Sequence, residues 1–331
     1  MPPVLARLRK PWPDHRAERT LGAVSCLVGV LVVGMVAFVA VHAWPTFEHN
    51  GLSWLGSGPS PESAFEKMQS TGVDAPASAY HLRAWPLLYG TLLTTVVAVA
   101  FASVVSLFAS IFIVELAPER LRRLTIPVIR LLASVPSVVY GLIGVLVLVP
   151  FVGNHLVTAA EKESVASSIE LTGAGLLVTV VILTVMIAPI MIALTCEALA
   201  AVPSSWREGA IALGLNPLRA ILAVTVRAAR PAIVAAAVLA TGRALGEAIM
   251  ISMVSGGRAF TPNLDHGLLI FLYSPLRTFA STIVDFREGL SAPALGSSLY
   301  AIALLLLLGG FVLSVCGYLI KLPLRRYQVR G

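Results

Sequence analysis

Long apolar runs alternate with polar stretches along the chain, and the runs have the length of membrane spans. A helix needs about 20 mostly apolar residues to cross the hydrocarbon core of a bilayer. Six runs reach that length and predict spanning helices at residues 22–43, 89–114, 128–152, 174–196, 231–254 and 298–320. The first run is too long for a typical signal peptide and five more follow it, so we expect it to stay as an anchor. The pattern predicts an all-α integral membrane protein.

The composition supports a membrane location, because 57% of the residues are hydrophobic and only 12% are charged. Soluble proteins average about 45–50% apolar and about 25% charged residues. Most of the basic residues lie in four segments: the N-terminal tail, the loops after the second and fourth predicted spans, and the C-terminus. By the positive-inside rule we expect these segments, and both termini, on the cytoplasmic side of a bacterial cytoplasmic membrane. Nucleic-acid binding is disfavoured, since no basic patch is interleaved with stacking aromatic residues.

The predicted spans divide the chain into segments. We expect a cytoplasmic tail at residues 1–20, a first span at 21–43 and an external loop at 44–86. A five-span core follows at 87–322, with a cytoplasmic loop near 197–230, and a second cytoplasmic tail ends the chain at 323–331. The external loop is rich in Ser, Gly, Pro and Ala, which predicts partly irregular structure. The loop before the last span contains GLLIFLYSPLRTFASTIVDF, which is too apolar for simple exposure and predicts a short interfacial or re-entrant segment.

Metal and nucleotide chemistry find no support in the sequence. The chain has three cysteines, an odd number without CxxC spacing, and its six histidines are scattered without paired spacing. It also lacks a phosphate-binding P-loop and a GxSxG nucleophile elbow. We therefore expect no metal and no cofactor bound by this chain, and no enzymatic activity of its own.

An arginine and a glutamate interrupt the fifth predicted span, in the stretch GRALGE. A charge at the centre of a span costs about 2.5–3.5 kcal/mol on insertion scales. Arg243 and Glu247 are four residues apart, so on a continuous helix they share one face and can pair. One interpretation is a buried structural ion pair. The other is a polar station on a transport path, where the forked guanidinium binds an oxyanion and Gly242 and Gly246 open space beside it.

Pro136 predicts a break inside the third predicted span, in RLLASVPSVVYGLIG. Proline lacks a backbone donor, so carbonyl groups near residue 132 lose their usual partner. Ser134, Ser137 and Tyr140 lie around this break. Their hydroxyls either bond back to their own backbone in a kinked packing helix, or they line the same polar path as Arg243.

The loop at residues 197–230 is amphipathic and helical in pattern, and Gly214, Asn216 and Pro217 interrupt it. The pattern predicts a helix-turn-helix that offers an apolar ridge to a partner, although a passive connector is the simpler alternative. Glu208, Ala210 and Gly214 match the coupling-loop motif of ABC importer permeases, in which two alanines follow the glutamate. Gly209 stands where the first of those alanines is usual.

Over residues 85–322 the chain resembles the phosphate-specific (Pst) permease family. ASVPSVVYGLIG and GRALGE look like signatures of the Pst permease pair, and the long loop before LLYGTLLTT is similar to the PstC type. Val226 and Arg227 replace the family's usual Leu-Pro, and Ala248 stands where a threonine is common. The resemblance implies the fold of ABC type I importer permeases, with Arg243, Glu247, Ser134, Ser137 and Tyr140 on the substrate path and Glu208, Gly209, Ala210 and Gly214 in ATPase coupling.

The resemblance also implies phosphate as the substrate and a set of partners. These are a PstA-type permease, a PstB-type ATPase dimer that holds ATP and magnesium, and an external PstS-type phosphate-binding protein, together with membrane lipid. The alternatives are a permease for sulfate or molybdate, an ion-coupled secondary anion transporter, and a membrane-embedded enzyme. The last would need a nucleophile or metal constellation that the sequence does not contain.

Overall fold

A computed structural model describes residues 15–56, 61–70, 80–166, 169–265 and 267–324, and the regular structure in these ranges is helical. Six helices in them are long and apolar enough to cross a membrane, which confirms the predicted all-α membrane fold. These are α1 (His15–Asn50), α3 (Trp85–Leu116), α5 (Ser137–Leu156), α7 (Leu176–Ala200), α9 (Pro217–Leu245) and α13 (Pro293–Leu324). The shorter helices are α2 (Pro61–Ser70), α4 (Glu119–Ala133), α6 (Ala159–Val165), α8 (Ser204–Ala212), α10 (Ile249–Val254), α11 (Leu268–Tyr273) and α12 (Phe279–Asp285).

Helix α7 is the centre of the bundle. It packs against α3, α9 and α4, whereas α1 lies outside along α13. Polar side chains of α3 bond directly to α7: Ser106 Oγ lies 3.3 Å from Ala188 O, and Ser110 Oγ lies 3.2 Å from Ile192 O. Small residues allow this close approach, and hydrogen bonds between helices replace the hydrophobic drive that a membrane interior lacks.

The third predicted span, residues 128–152, is wrong in its start. The structure divides this region into α4 and α5, with Pro136 between them in an extended conformation (φ −59°, ψ 139°). Proline also disfavours helical geometry at the preceding residue. Pro136 therefore ends one helix and precedes the first turn of the spanning helix, instead of kinking a helix in mid-membrane.

The fifth predicted span, residues 231–254, is wrong at both ends. Helix α9 already begins at Pro217 and passes through Pro231, so the second helix of the predicted coupling loop and the span are one element. The helix ends at Leu245, and Gly246 to Ala248 separate it from α10. The apolar pattern continues across this gap, which is why the sequence alone predicted a single helix.

The region predicted as a partly irregular external loop is folded where the structure describes it. Helix α1 continues to Asn50, beyond the predicted end of the first span, and a 3-10 turn at Gly51–Leu55 leads towards α2. We call residues 44–56, 61–70 and 80–84 the cap. Asn50 links the parts of the cap by hydrogen bonds. Its Nδ2 donates to Thr46 O at 2.9 Å and to Tyr80 O at 2.6 Å, and its Oδ1 accepts from Leu82 N at 3.1 Å. Trp54, Phe65 and Met68 fill its core.

The apolar segment before the last span folds against the same end of the bundle as the cap. Helices α11 and α12 are joined by an extended strand-like stretch, in which Leu276 N bonds to Ser255 O at 2.9 Å. Tyr273, Leu276 and Phe279 are buried. Packing against the protein accounts for the apolarity of this segment.

Candidate substrate path and coupling surface

Arg243 and Glu247 do not share a helix face, so the predicted pairing is wrong. Arg243 lies in the last turn of α9, and Glu247 lies beyond the helix end at Gly246. Among the described residues, the ion pairs include none between these two side chains. Glycine has low helix propensity, and the chain leaves the helix here through tight turns, with Glu247 N at 3.3 Å from Ala244 O.

Glu247 instead turns inwards to the start of α10. Its residue is only 9% exposed, and its Oε1 accepts a hydrogen bond from Met250 N at 3.2 Å. The first amide groups of a helix have no partner within the helix and favour a negative charge. Glu247 therefore fixes the half-helix α10, which the apolar pattern of the sequence does not predict.

Arg243, in contrast, is exposed at the surface of the chain. Its neighbours Gly242 and Gly246 are exposed as well, and a Cβ atom at Gly242 would meet no atom within 4 Å. A residue at the surface of a spanning helix lies at membrane depth, where an unpaired charge is costly. The exposed guanidinium of Arg243 therefore needs a counter-charge. In the part of the chain that the structure describes, that counter-charge is not supplied by an ion pair.

The hydroxyl groups around Pro136 close the break in the backbone. Leu132 O accepts hydrogen bonds from Tyr140 Oη at 3.0 Å and from Val135 N at 3.3 Å, so the carbonyl group that proline leaves open is satisfied. Ser134 Oγ bonds back to Leu131 O at 2.7 Å. This bond to the backbone is the one that the interpretation as a packing helix predicts for Ser134. Ser134 is exposed, and Ser137 and Tyr140 are half-buried.

The two polar stretches lie in neighbouring elements. The first turns of α5 pack against α10 at Gly141, where an added Cβ would come within 2.7 Å of Met253 Sδ and 3.2 Å of Met250 Cα. Glycine is needed at 141 for this close approach. The structure thus places the Pro136 region beside the half-helix that Glu247 caps, but the described hydrogen bonds include none between the two groups of side chains.

The predicted helix-turn-helix is present as α8, a turn and the first part of α9. Gly214 has φ +91°, a left-handed conformation that favours glycine, and Asn216 Oδ1 caps the next helix by accepting from Leu218 N at 3.0 Å. Glu208, Gly209 and Gly214 are exposed and Ala210 is half-buried.

Apolar side chains are exposed at this turn. Leu213 is 85% exposed and Leu218 is 55% exposed, and Trp206 and Ile211 are also exposed. The turn carries exposed charges as well, so it does not resemble a segment that only faces lipid. An exposed apolar ridge of this kind is typical of a protein interaction site.

Two charged contacts could not be predicted from the sequence. At the turn, Arg207 of α8 pairs with Glu115 at the end of α3, whose side chain is only 4% exposed. At the cap end, Arg277 is 9% exposed, and its Nε lies 3.3 Å from Asp285 Oδ2. The available signal was a single charge in each of two apolar segments, FIVELAP and LYSPLRTF, which indicates a buried charge but not its partner.

The described residues form a bundle of six helices long enough to span a membrane, with an exposed helix-turn-helix at one end, and this architecture fits a multi-pass transport permease. Residues 102–321 match the family described as binding-protein-dependent transport system inner membrane component, and the chain belongs to this family.

Curated relatives agree with that assignment, and a solved structure agrees with the fold. The phosphate transport system permease protein PstC 1 of Mycobacterium tuberculosis is 34% identical over 294 residues, which cover 85% of this chain and 84% of the relative. A probable phosphate transport system permease protein PstC of Methanocaldococcus jannaschii is 29% identical and covers 88% of each chain. A chain of the inward-facing MetNI methionine ABC transporter superposes with a TM-score of 0.52 at 18% identity, covering 71% of this chain and 93% of the other. This structural similarity supports the fold alone.

Proposed function

We propose that this chain is the permease subunit of an ATP-driven importer that moves inorganic phosphate into the cell by alternating access. One observation carries the proposal: Arg243 lies exposed in a spanning helix with an open surface beside it, while Glu247 bonds to the start of α10 and leaves Arg243 unpaired by it. A cation that forms no ion pair with the described residues suits a transient anion. The phosphate permease relatives point to the same substrate.

Phosphate and sulfate differ in protonation, and Glu247 offers a way to distinguish them. Hydrogen phosphate carries a protonated oxygen that can donate to a carboxylate, and sulfate does not. One oxygen of Glu247 accepts from Met250 N, and the second can accept from the substrate. The external binding protein would make most of the selection before phosphate reaches this site.

The partners and the energy source follow from the proposed class. A homologous PstA-type permease would cover the open face of α9, and a PstS-type protein would deliver phosphate at the cap end. A PstB-type ATPase dimer, which holds ATP and magnesium, would dock on α8 and its turn. Leu213 and Leu218 supply the apolar contact there, and the positive-inside rule favours this end as the cytoplasmic one.

The test is Arg243→Gln in the assembled complex, with uptake of radiolabelled phosphate measured in ATP-loaded proteoliposomes. A hydrogen bond to a charged group contributes about 1.5–3 kcal/mol, so we expect uptake to fall by about tenfold or more. Arg258→Gln is the control, since Arg258 is exposed in the loop after α10. Co-purification of the ATPase reports assembly.

Uptake at the unmodified rate in an assembled Arg243→Gln complex would favour a structural role for Arg243. The path would then have to be sought around Ser134, Ser137 and Tyr140. Uptake by this chain without an ATPase, driven by a pH gradient, would favour an ion-coupled secondary transporter. Transport of sulfate or molybdate in place of phosphate would keep the class and change the substrate.

A further inference from the structure

Helix α8 carries the exposed ridge, yet it is only lightly attached to the bundle. None of its residues, Ser204 to Ala212, is buried. Its charged contact with the bundle is the pair between Arg207 Nη1 and Glu115 Oε2. This pair joins α8 to the last turn of α3, 92 positions earlier in the sequence.

Burial distinguishes this ion pair from the other pairs at the same end of the molecule. The side chains of Glu115 and Arg207 are 4% and 32% exposed. Those of Arg130 and Glu197, which are 3.0 Å apart, are 62% and 60% exposed. Solvent weakens exposed pairs until they contribute little, whereas a buried carboxylate depends on its partner because it has lost its water. The Glu115–Arg207 pair is therefore a fixed connection.

Helix α3 extends from this pair to the cap end. It packs along α7 over much of its length. At its other end, a Cβ added at Gly90 would clash with the carbonyl oxygen of Arg277, and Thr91 Oγ1 accepts a hydrogen bond from Phe279 N at 2.9 Å. The helix that carries Glu115 at one end therefore contacts backbone atoms near residues 277–279 at its other end.

We propose that Glu115 and Arg207 are the joint through which a displacement of α8 is transferred to α3. The inference rests on the proposed function, because it takes α8 as the surface that follows ATPase closure. Arg207 and Glu115 are positioning residues, since they act through helices and do not touch the substrate. Loss of the joint would leave ATP hydrolysis running while less phosphate moves per ATP.

The experiment measures ATP hydrolysis and phosphate uptake in the same reconstituted complex. The variants are Glu115→Gln, which keeps the side-chain shape, Arg207→Gln, and the double variant. We expect the phosphate moved per ATP to fall by about fivefold or more in each single variant, the lower end of typical coupling between sites. The double variant should lose no more than either single one, because both remove the same contact. Arg207→Lys keeps the charge and should restore part of the ratio.

Glu197→Gln is the matched control, because it breaks an exposed pair at the same end of the bundle. Its ratio of uptake to hydrolysis should stay at the unmodified value. An unchanged ratio in assembled Glu115→Gln and Arg207→Gln complexes would overturn the joint, and so would additive losses in the double variant. Loss of the ATPase from the Arg207→Gln and Arg207→Lys complexes would also overturn it, by making Arg207 a docking contact. If the unmodified complex shows no ATP-driven phosphate uptake, the proposed function itself fails, a result separate from these.

Discussion

Replacing Arg277 by methionine should loosen the contact between the cap and the bundle. Arg277 Nε lies 3.3 Å from Asp285 Oδ2, and Nη1 lies 4.0 Å from Glu62 Oε1 in the first turn of α2. Its guanidinium also lies over the Phe286 ring, 5.0 Å from the centroid. Burial lowers the pKa of Arg277, while Asp285 and Glu62 oppose that shift. Arginine nevertheless stays charged.

The magnitude follows from what methionine would leave behind. At an effective dielectric constant of about 20, each ion pair at 3.3–4.0 Å has a Coulomb energy of about 4–5 kcal/mol. Desolvation of Arg277, Asp285 and Glu62 cancels much of this Coulomb energy, so the wild-type cluster adds little net stability. The Arg277→Met variant keeps two partly buried carboxylates without their cation. Breaking a buried pair in this way costs about 3–5 kcal/mol, which corresponds to an opening equilibrium about 100-fold or more greater.

Hydrogen exchange of the purified complex measures this opening directly. We expect the amides of α2 and α12 to lose protection by about 100-fold or more in Arg277→Met, with α7 unchanged. Arg287→Met is the control, since Arg287 pairs with Glu288 at 64% and 84% exposure. Wild-type protection of α2 and α12 in Arg277→Met would refute the reasoning that the cation holds these helices together.

Two further predictions concern the turn and the orientation. Gly214→Trp should abolish ATP-driven uptake while membrane insertion is kept, because a large side chain at φ +91° would block docking and strain the turn. The control is Gly209→Ala, which should transport normally because a Cβ atom at this position meets no atom within 4 Å. Normal uptake by Gly214→Trp would count against the docking surface. A cysteine at Ser60, which lies outside the described residues, or at Ser70 should react with an impermeant thiol reagent in intact cells, and a cysteine at Ser204 should not. The reverse labelling would invert the orientation and move the ATPase to the cap end.

The sequence predicted where six spans occur, although not all of their ends, because membrane insertion depends on length and apolarity, which are local properties. It also predicted the helix-turn-helix at Gly214, where a glycine, an Asn cap and a proline follow each other. The helix boundaries at Pro136 and Gly246 were less predictable. Both lie inside long apolar stretches, so hydropathy alone assigns them to spans. Proline chemistry predicted a break at Pro136, but only the backbone shows that two separate helices meet there and that α9 ends at Leu245.

The side-chain partners were the least predictable feature. Spacing along a helix predicted the pair Arg243–Glu247, and that argument holds only while the helix continues. Once the chain turns at Gly246, Glu247 is nearer to the amide groups of α10 than to Arg243. Glu115 and Arg207, in contrast, are far apart in the sequence, and no local rule connects them. Partners of this kind follow from how the helices pack.

Helix α10 illustrates why the geometry around Glu247 could not be predicted from the sequence. Six residues are too few for a stable helix in isolation, so contacts outside the helix must hold it. Glu247 caps its start, Gly141 lets α5 approach its side, and Ser252 Oγ bonds to Asp285 of α12. Asp285 in turn pairs with Arg277. Each contact comes from a different part of the chain, and because Glu247 is one of them, a substrate that competes for its carboxylate would act on the attachment of α10.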